Sequence, residues 1–260
     1  MAELPVSYMK ATREVTGFWG AYPLGQELSP GAYGRRVKGQ FVADGRLSDF
    51  PGYDGTAFGL TEAAARSPAE TWLSEGTRVE DVGVSAGGPA LPVSGKLRVQ
   101  FSHAEQMLFG CRNGRVWSFQ NLRKVKDHLL SLYKQGQWDR RDILVTHVMK
   151  VDAAWVFYST QGGQSVEVSV SVTPGPAVAA DLLKAAIGSG KIEVGYGGLA
   201  ASGYASQLPG PGTPLFQAIK ISRWPRPHPG IVLRGPGDFD EATFGDPDEP
   251  DEGPDVPDEE

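Results

Sequence analysis

An α+β fold, with a twisted, mostly antiparallel sheet and flanking helices, is what this sequence predicts, and three observations carry the prediction. Two stretches alternate apolar and polar residues with a period of two, two others repeat apolar residues at helical spacing, and the predicted elements follow one another without strand-helix-strand regularity. The strongest alternation sets Val166, Val168, Val170 and Val172 on one face and Glu167, Ser169, Ser171 and Thr173 on the other. Ahead of it, Ile143 to Tyr158 is rich in β-branched and aromatic residues (Val145, Val148, Val151, Trp155, Val156, Phe157), and Gly162-Gly163, flanked by Gln161 and Gln164, supplies turn chemistry. Asp142 to Thr173 therefore reads as one long hairpin. Its regular strands of about ten residues match a tilted bilayer-spanning strand, although half-buried strands of soluble sheets show the same pattern.

The remaining elements follow in chain order. Residues 1 to 20 mix Tyr8, Met9, Phe18 and Trp19 with Lys10 and Arg13, a short amphipathic helix ended by Gly17 that either packs or lies on a membrane surface. A turn-rich entry, Pro23 to Gly34, leads to a basic cluster, Arg35, Arg36 and Lys38, inside a strand running to Val42. Leu47 to Gly59 is loop-like, punctuated by Pro51-Gly52 and Asp54-Gly55. Thr61 to Ser74 reads as one helix or a broken pair, with Thr61 as cap and Pro68 at a restart. A strand over Thr77 to Ser85 and a loop over Ala86 to Pro92 precede a cleaner strand, with Val93, Leu97, Val99 and Phe101 opposed to Ser94, Lys96, Arg98, Gln100 and Ser102, giving a second long hairpin. Met107 to Phe119 reads as two short strands joined by Asn113-Gly114, a two-residue hairpin signal. Asn121 is placed to cap a helix bearing Leu122, Val125, Leu129 and Leu132 on one face and Lys124, Lys126 and Lys134 around it, closed by Gly136. Pro174 to Gly188 reads as a further helix with Val178, Leu182 and Ala185 inward, Lys191 to Gly195 as a short strand, Gly197 to Pro214 as a glycine-rich loop and Leu215 to Ile221 as the last strand.

Length and charge bound the possibilities. The 260 residues make one large domain or two small ones. The single cysteine, Cys111, excludes an intramolecular disulfide framework, no run of 18 apolar residues offers a transmembrane helix, and the start lacks a secretory succession, so the cytoplasm is the expected compartment. The net charge of −6 hides a split: Gly235 to Glu260 holds 12 acids and no Lys or Arg, leaving 19 acids against 25 bases before it. That stretch has too few apolar groups to offset its ordering entropy and is expected to be disordered, either as a solvated tail or as an acidic strap over a basic surface.

Candidate chemistry is sparse. Gly83-Val84-Ser85-Ala86-Gly87 matches a nucleophile elbow, but Gly88-Pro89-Ala90-Leu91-Pro92 cannot start the helix that must follow. Gly195-Tyr196-Gly197-Gly198-Leu199-Ala200 has a loose dinucleotide pattern with no acid between Glu193 and Asp238 to hold a ribose, and Gly188-Ser189-Gly190-Lys191 ends in Ile192 where a phosphate loop has a hydroxyl. His103, His128, His147 and His228 lack metal-site spacing, and the aromatics are not interleaved with bases as in a nucleic-acid module. No enzyme activity, cofactor, metal or nucleic-acid partner is expected.

One resemblance gives these parts a function. The helix Leu122 to Gln135 running into Asp142-Ile143-Leu144-Val145-Thr146-His147-Val148-Met149, the basic strand Arg35 to Gln40, and the glycine-rich segment entering Thr213-Pro214-Leu215-Phe216-Gln217-Ala218 together resemble the pore-forming domain of gasdermins, short bacterial members included. His147 stands where that family commonly has an acid. The resemblance implies a gasdermin N-domain-like unit over 1–225 and an inhibitory segment with acidic tail over 226–260. It implies that two extensible regions, Thr77 to His103 and Asp142 to Thr173, refold into hairpins that join copies of the chain in a membrane β-barrel, with Val93, Leu97, Val99, Phe101, Val145, Val166, Val168, Val170 and Val172 toward lipid. Arg35, Arg36, Lys38, Lys124 and Lys126 are then the contacts to anionic lipid, and Pro225, Arg226 and Arg234 mark the region an activating protease cuts. The protein implied is cytoplasmic while inactive, moves to the inner membrane when cut, and permeabilises it in cell death or antiphage defence. Two departures stand: there is no N-terminal cysteine for lipid attachment, and the tail has few apolar residues (Phe239, Phe244, Val256), so an inhibitory plug falls in Trp224 to Leu233. A soluble scaffold whose acidic tail recruits a basic partner, and a hydrolase using Ser85, are the alternatives.

Overall fold

The computed structural model describes residues 4–38, 40–63, 68–85, 93–172, 183–187, 192–195, 203–221 and 239–241. The chain is an α+β protein with mostly antiparallel sheets. Its elements are α1 (Leu4–Thr16), β1 (Trp19–Gly20), β2 (Ala32–Val37), β3 (Gln40–Arg46), a 3-10 turn (Leu47–Asp49), α2 (Gly55–Phe58), β4 (Leu60–Ala63), β5 (Ala69–Leu73), β6 (Thr77–Ser85), β7 (Val93–Phe101), β8 (Gln106–Arg112), β9 (Arg115–Phe119), α3 (Leu122–Lys134), β10 (Ile143–Val151), β11 (Ala153–Ser159), β12 (Gln164–Val172), α4 (183–187), β13 (Ile192–Gly195), β14 (Gly203–Leu208), β15 (Gly212–Ile221) and β16 (Phe239–Glu241).

The two long helices form where local chemistry asks for them. Asn121 Oδ1 accepts the Lys124 N–H at 3.2 Å and so satisfies one free donor at the start of α3; Val125, Leu129 and Leu132 form its buried stripe, and Gly136 leaves it at φ 68. In α1, Val6, Tyr8, Met9, Ala11 and Thr12 are buried, and the chain leaves through Gly17 at φ 79. The N-terminal helix is thus a packed element.

Three sheets make up the rest. The largest has eight strands: β15 and β10 pair at its centre, β10 continues to β2 and β3 at one end and to β9 and β4 at the other, and β1 and β16 share the outer edge of β15. A second sheet runs β14-β11-β8-β5, and a third β13-β12-β7-β6. One core lies between α1, the large sheet and one face of the second sheet (Tyr8, Met9, Val148, Phe216, Phe109, Val156). Another fills the space between the other face of the second sheet, the third sheet and α4 (Leu108, Trp155, Phe157, Leu97, Val99, Val168, Ile187). The last seats α3 on the large sheet through Val125, Leu129, Leu132, Phe58 and Leu144.

Several sequence expectations are corrected. Asp142 to Thr173 is no hairpin: Ile143 to Tyr158 breaks at Asp152 into β10 and β11, and β11 and β12 lie in different sheets, each paired with strands distant in sequence. Gly162-Gly163 bends a strand instead of reversing it. Asn113-Gly114 likewise does not pair β8 with β9; β8 binds β11 and β5, while β9 binds β10 and β4. Both mistakes have one cause: glycine reports a local backbone need, and the pairing partner is chosen by burial elsewhere. Thr61 to Ser74 contains β4 and β5, because pairing with β9 and β8 outweighs the helix propensity of that stretch, of which 64–67 lie outside the described residues. The basic strand to Val42 is a hairpin turning beside Lys38, which has φ 50, with Val37 opposite Gln40. Within Pro174 to Gly188 only 183–187 is described; it is helical and buries Leu183, Ala186 and Ile187, with Ala185 partly buried and Val178 and Leu182 outside the described residues. The acidic stretch, expected to be disordered, contributes β16 to the edge of β15, pairing Phe239 with Ile221 and Glu241 with Ile219.

Candidate functional site

The element that brings most of the candidate residues together is a set of four strand segments that pass from the second sheet to the third. β5 continues into β6, β8 into β7, β11 into β12 and β14 into β13, and the lateral order is the same in both sheets. For the central pair the register never changes: Val93 faces Val172, Gln106 faces Ser159, Arg112 faces Ala153, and the same phase continues into the large sheet where Ser118 faces His147. No residue is inserted on either strand between those limits.

Each described bend has one residue in the left-handed region: Gly76 (φ 81) between β5 and β6, Glu105 (φ 60) between β7 and β8, and Gly163 (φ 77) between β11 and β12. The connection between β13 and β14, residues 196–202, lies outside the described residues. Polar side chains, two of them buried, pin the bends. Gln106 accepts the His103 N–H at 3.0 Å and donates through Nε2 to the Glu75 carbonyl, tying two bends together. The Ser159 hydroxyl, fully buried, sits 2.5 Å from the Gln161 carbonyl oxygen and 2.8 Å from Gln164 Oε1. Ser102 Oγ donates to Gly76 O at 2.9 Å, and Gly163 N–H to Phe101 O at 2.8 Å.

The bends also turn each strand over. Leu97, Val99 and Phe101 of β7 face the core beneath the third sheet, yet Met107, Phe109 and Cys111, an even number of residues further on, face the α1 core while Leu108 faces the other. The partner strand does the same: Val166, Val168 and Val170 share a core with Trp155 and Phe157, and Tyr158, Val156 and Ala154 face the opposite way. In an unbent ribbon, strict alternation would place both apolar rows on one face. The exposed face of the third sheet is polar, with Arg98 directly opposite Glu167 and paired to it at 3.0 Å, and Gln100 Nε2 donating to Glu80 at 2.7 Å.

The other candidates are distributed as follows. Leu97, Val99, Phe101, Val166, Val168 and Val170 are buried under the third sheet; Val93 and Val172 are register partners at its far end. Val145 does not belong with them, being fully buried in β10 against Ala218 of β15. Arg35 ion-pairs with Asp142 at 2.9 Å and Asp139 at 3.4 Å; the Arg141 guanidinium, 2.6 Å from Asp139, and after it Arg35 hold the Asp139 carboxyl below its usual range. Lys38 and Lys124 are exposed and Lys126 half-buried, on the β2-β3 hairpin and on α3. Pro225, Arg226 and Arg234 lie outside the described residues. Ser85 ends β6 opposite Ser94, and the next described element is the antiparallel strand β7; residues 86–92, which would hold the turn of a nucleophile elbow, lie outside the described residues. Among the described residues no three His, Cys, Asp or Glu side chains gather as a metal site, and no helix is long and apolar enough to cross a membrane, which says nothing of crossing by strands.

The bend residues Gly76, Glu105, Gln106 and Ser159 were missed by sequence reasoning, whereas Gly163 was singled out as turn chemistry but assigned to a hairpin; turn residues inside an otherwise alternating run are the signal that marks them. Fold and site together define an α+β protein built around a doubly layered, bent four-stranded ribbon. No family model and no curated protein matches the chain.

Proposed function

We propose that this protein is a gasdermin-like pore former: removal of its C-terminal segment lets the bent strands straighten, insert and join those of neighbouring copies in a β-barrel that permeabilises the inner membrane, in cell death or antiphage defence. The observation that carries the reading is the conserved strand order across the bends, with the apolar face of the third sheet hidden against the second. Straightening needs no new pairing within a segment, because lateral neighbours are already in place. A closed barrel then satisfies every backbone group in lipid. β7 and β12, each nine residues with alternating faces, approach the span of a tilted transmembrane strand of about 9–11 residues. Because β10 is a core strand of the large sheet, the reading takes the segment from β12 to β13, in place of Asp142–Thr173, as the second extensible region.

The restraint has a physical counterpart. β16 covers part of the outer edge of β15, so a cut between Ile221 and Phe239, a range that includes Pro225, Arg226 and Arg234, leaves it held by three residues of strand pairing alone and free to dissociate. Lys38, Lys124 and neighbouring cations, freed of the acidic tail, draw the body to anionic lipid.

Dye release from anionic liposomes tests the reading with three forms: the full chain, a chain ending at Pro225 and one ending at Arg234. Release by the truncated forms alone is the expected result. No release from any form, with lipid and pH varied, would overturn it in favour of a soluble scaffold whose acidic tail recruits a basic partner.

A further inference from the structure

A cleft of about 520 Å³ opens where the long ribbon passes from the second sheet into the large one. That volume lies within the range of small-molecule sites, roughly 300–1,000 Å³. Arg46 from the end of β3, Arg115 from β9 and Lys150 from β10 all line it, with Trp117 on its wall. Arg115 and Lys150 are direct register partners across the two antiparallel strands. Like charges placed directly opposite one another repel and destabilise a sheet. Their local compensation is incomplete: Arg115 reaches Glu62 at 3.3 Å on the exposed surface, and the Lys150 ammonium rests 4.4 Å from the Trp117 ring centre. Arg46 makes no ion pair among the described residues. Two carboxylates also line the cleft, Glu27 and Asp152, but Asp152 accepts the Asn113 side-chain amide at 2.6 Å and is thereby engaged on the wall.

We propose that this cleft binds a small phosphate-bearing ligand, its phosphate neutralising Arg115, Lys150 and Arg46 together. Guanidinium groups match the geometry of phosphate oxygens by paired, charge-assisted hydrogen bonds, and three cations lining one cleft suit a dianion better than a single carboxylate. Trp117 leaves an aromatic wall for the organic part of the ligand. The same chemistry is offered by a free phosphomonoester or by a phospholipid headgroup. The site stands whether or not the protein forms pores.

Calorimetric titration of the full chain in chloride buffer tests this, using inorganic phosphate, glycerol 3-phosphate, dihexanoyl phosphatidic acid and acetate as probes. Saturable binding of the phosphate probes in preference to acetate is expected. Binding of the soluble probes assigns the site to a free metabolite, and binding of the short-chain lipid alone assigns it to a headgroup. The double variant Arg46→Gln/Lys150→Gln, whose side chains are exposed and whose fold is checked by circular dichroism, removes two charge-assisted contacts and should bind at least about tenfold more weakly, the loss expected from even one of them. Glu27→Gln removes the opposing charge and should tighten binding. No binding of any phosphate probe, equal binding of acetate, undiminished binding by the double variant, or weaker binding by Glu27→Gln would each overturn the proposal.

Discussion

Replacing Gly163 by alanine isolates the conformational bias of a bend from its packing. Gly163 has φ 77, and a Cβ built on it meets nothing within 4 Å, so the added methyl group clashes with no neighbour. Its effect is then confined to holding an L-residue in the left-handed region, about 1–2 kcal/mol. A straight β-strand imposes no such penalty, so the bent-to-straight equilibrium moves by roughly five- to thirtyfold toward straight. Glu105 offers the opposite test, because it already occupies the left-handed region with φ 60. Glu105→Gly removes that strain and moves the equilibrium toward bent. Urea denaturation of the full chain should show Gly163→Ala destabilised by about 1 kcal/mol or more, and dye release by the chain ending at Pro225 should be faster for Gly163→Ala and slower for Glu105→Gly. Undiminished stability of Gly163→Ala would refute the assigned backbone strain. Release rates that shift in the same direction for both variants would refute the role of the bends.

Other outcomes follow from individual contacts. At Gly110 a new Cβ would meet Ile187 Cδ1 at 2.6 Å, so Gly110→Ala should destabilise the fold by about 1–3 kcal/mol in urea as the α4 side chain is forced to shift. Ser159→Ala leaves the Gln161 carbonyl and Gln164 without the buried hydroxyl and should cost about 1–3 kcal/mol by the same measurement. Burial lowers the pKa of His128, whose ring lies against Phe58, and of His147 on β10, both from an ordinary 6.5. A depressed histidine favours the neutral folded form, so its contribution is complete above pH 6.5 and is lost as pH falls below that value. Melting temperature should therefore drop between pH 7.5 and 5.5, and the double variant His128→Gln/His147→Gln should flatten that slope.

Helices α1 and α3 and the amphipathic strands were legible because their signals are local. Asn121 and Gly136 bracket α3 by capping chemistry alone, and the valine row of β12 can satisfy its alternation only as a strand. Partner choice was not legible. Gly162-Gly163 and Asn113-Gly114 announce a change of backbone direction in both a hairpin and a bend, and only the burial of β8 and β11 on both faces distinguishes them. Val145 looked interchangeable with Val166 in sequence, yet the break at Asp152 sends its strand into another sheet. The cleft escaped notice for a different reason: Arg46, Arg115 and Lys150 come from three strands, and no window of sequence contains them together.

The constant phase between Val93–Ser118 and His147–Val172 also limits how this chain can change over generations. One residue added or lost in either strand would exchange inner and outer side chains from that point onward, through as many as three sheets. Such a change survives only with a matching one in the opposite strand. Length variation is therefore expected to collect in the connections, beyond Val93 and Val172 at one end and around α3 at the other, so that the ribbon serves its lineage as a ruler of fixed length.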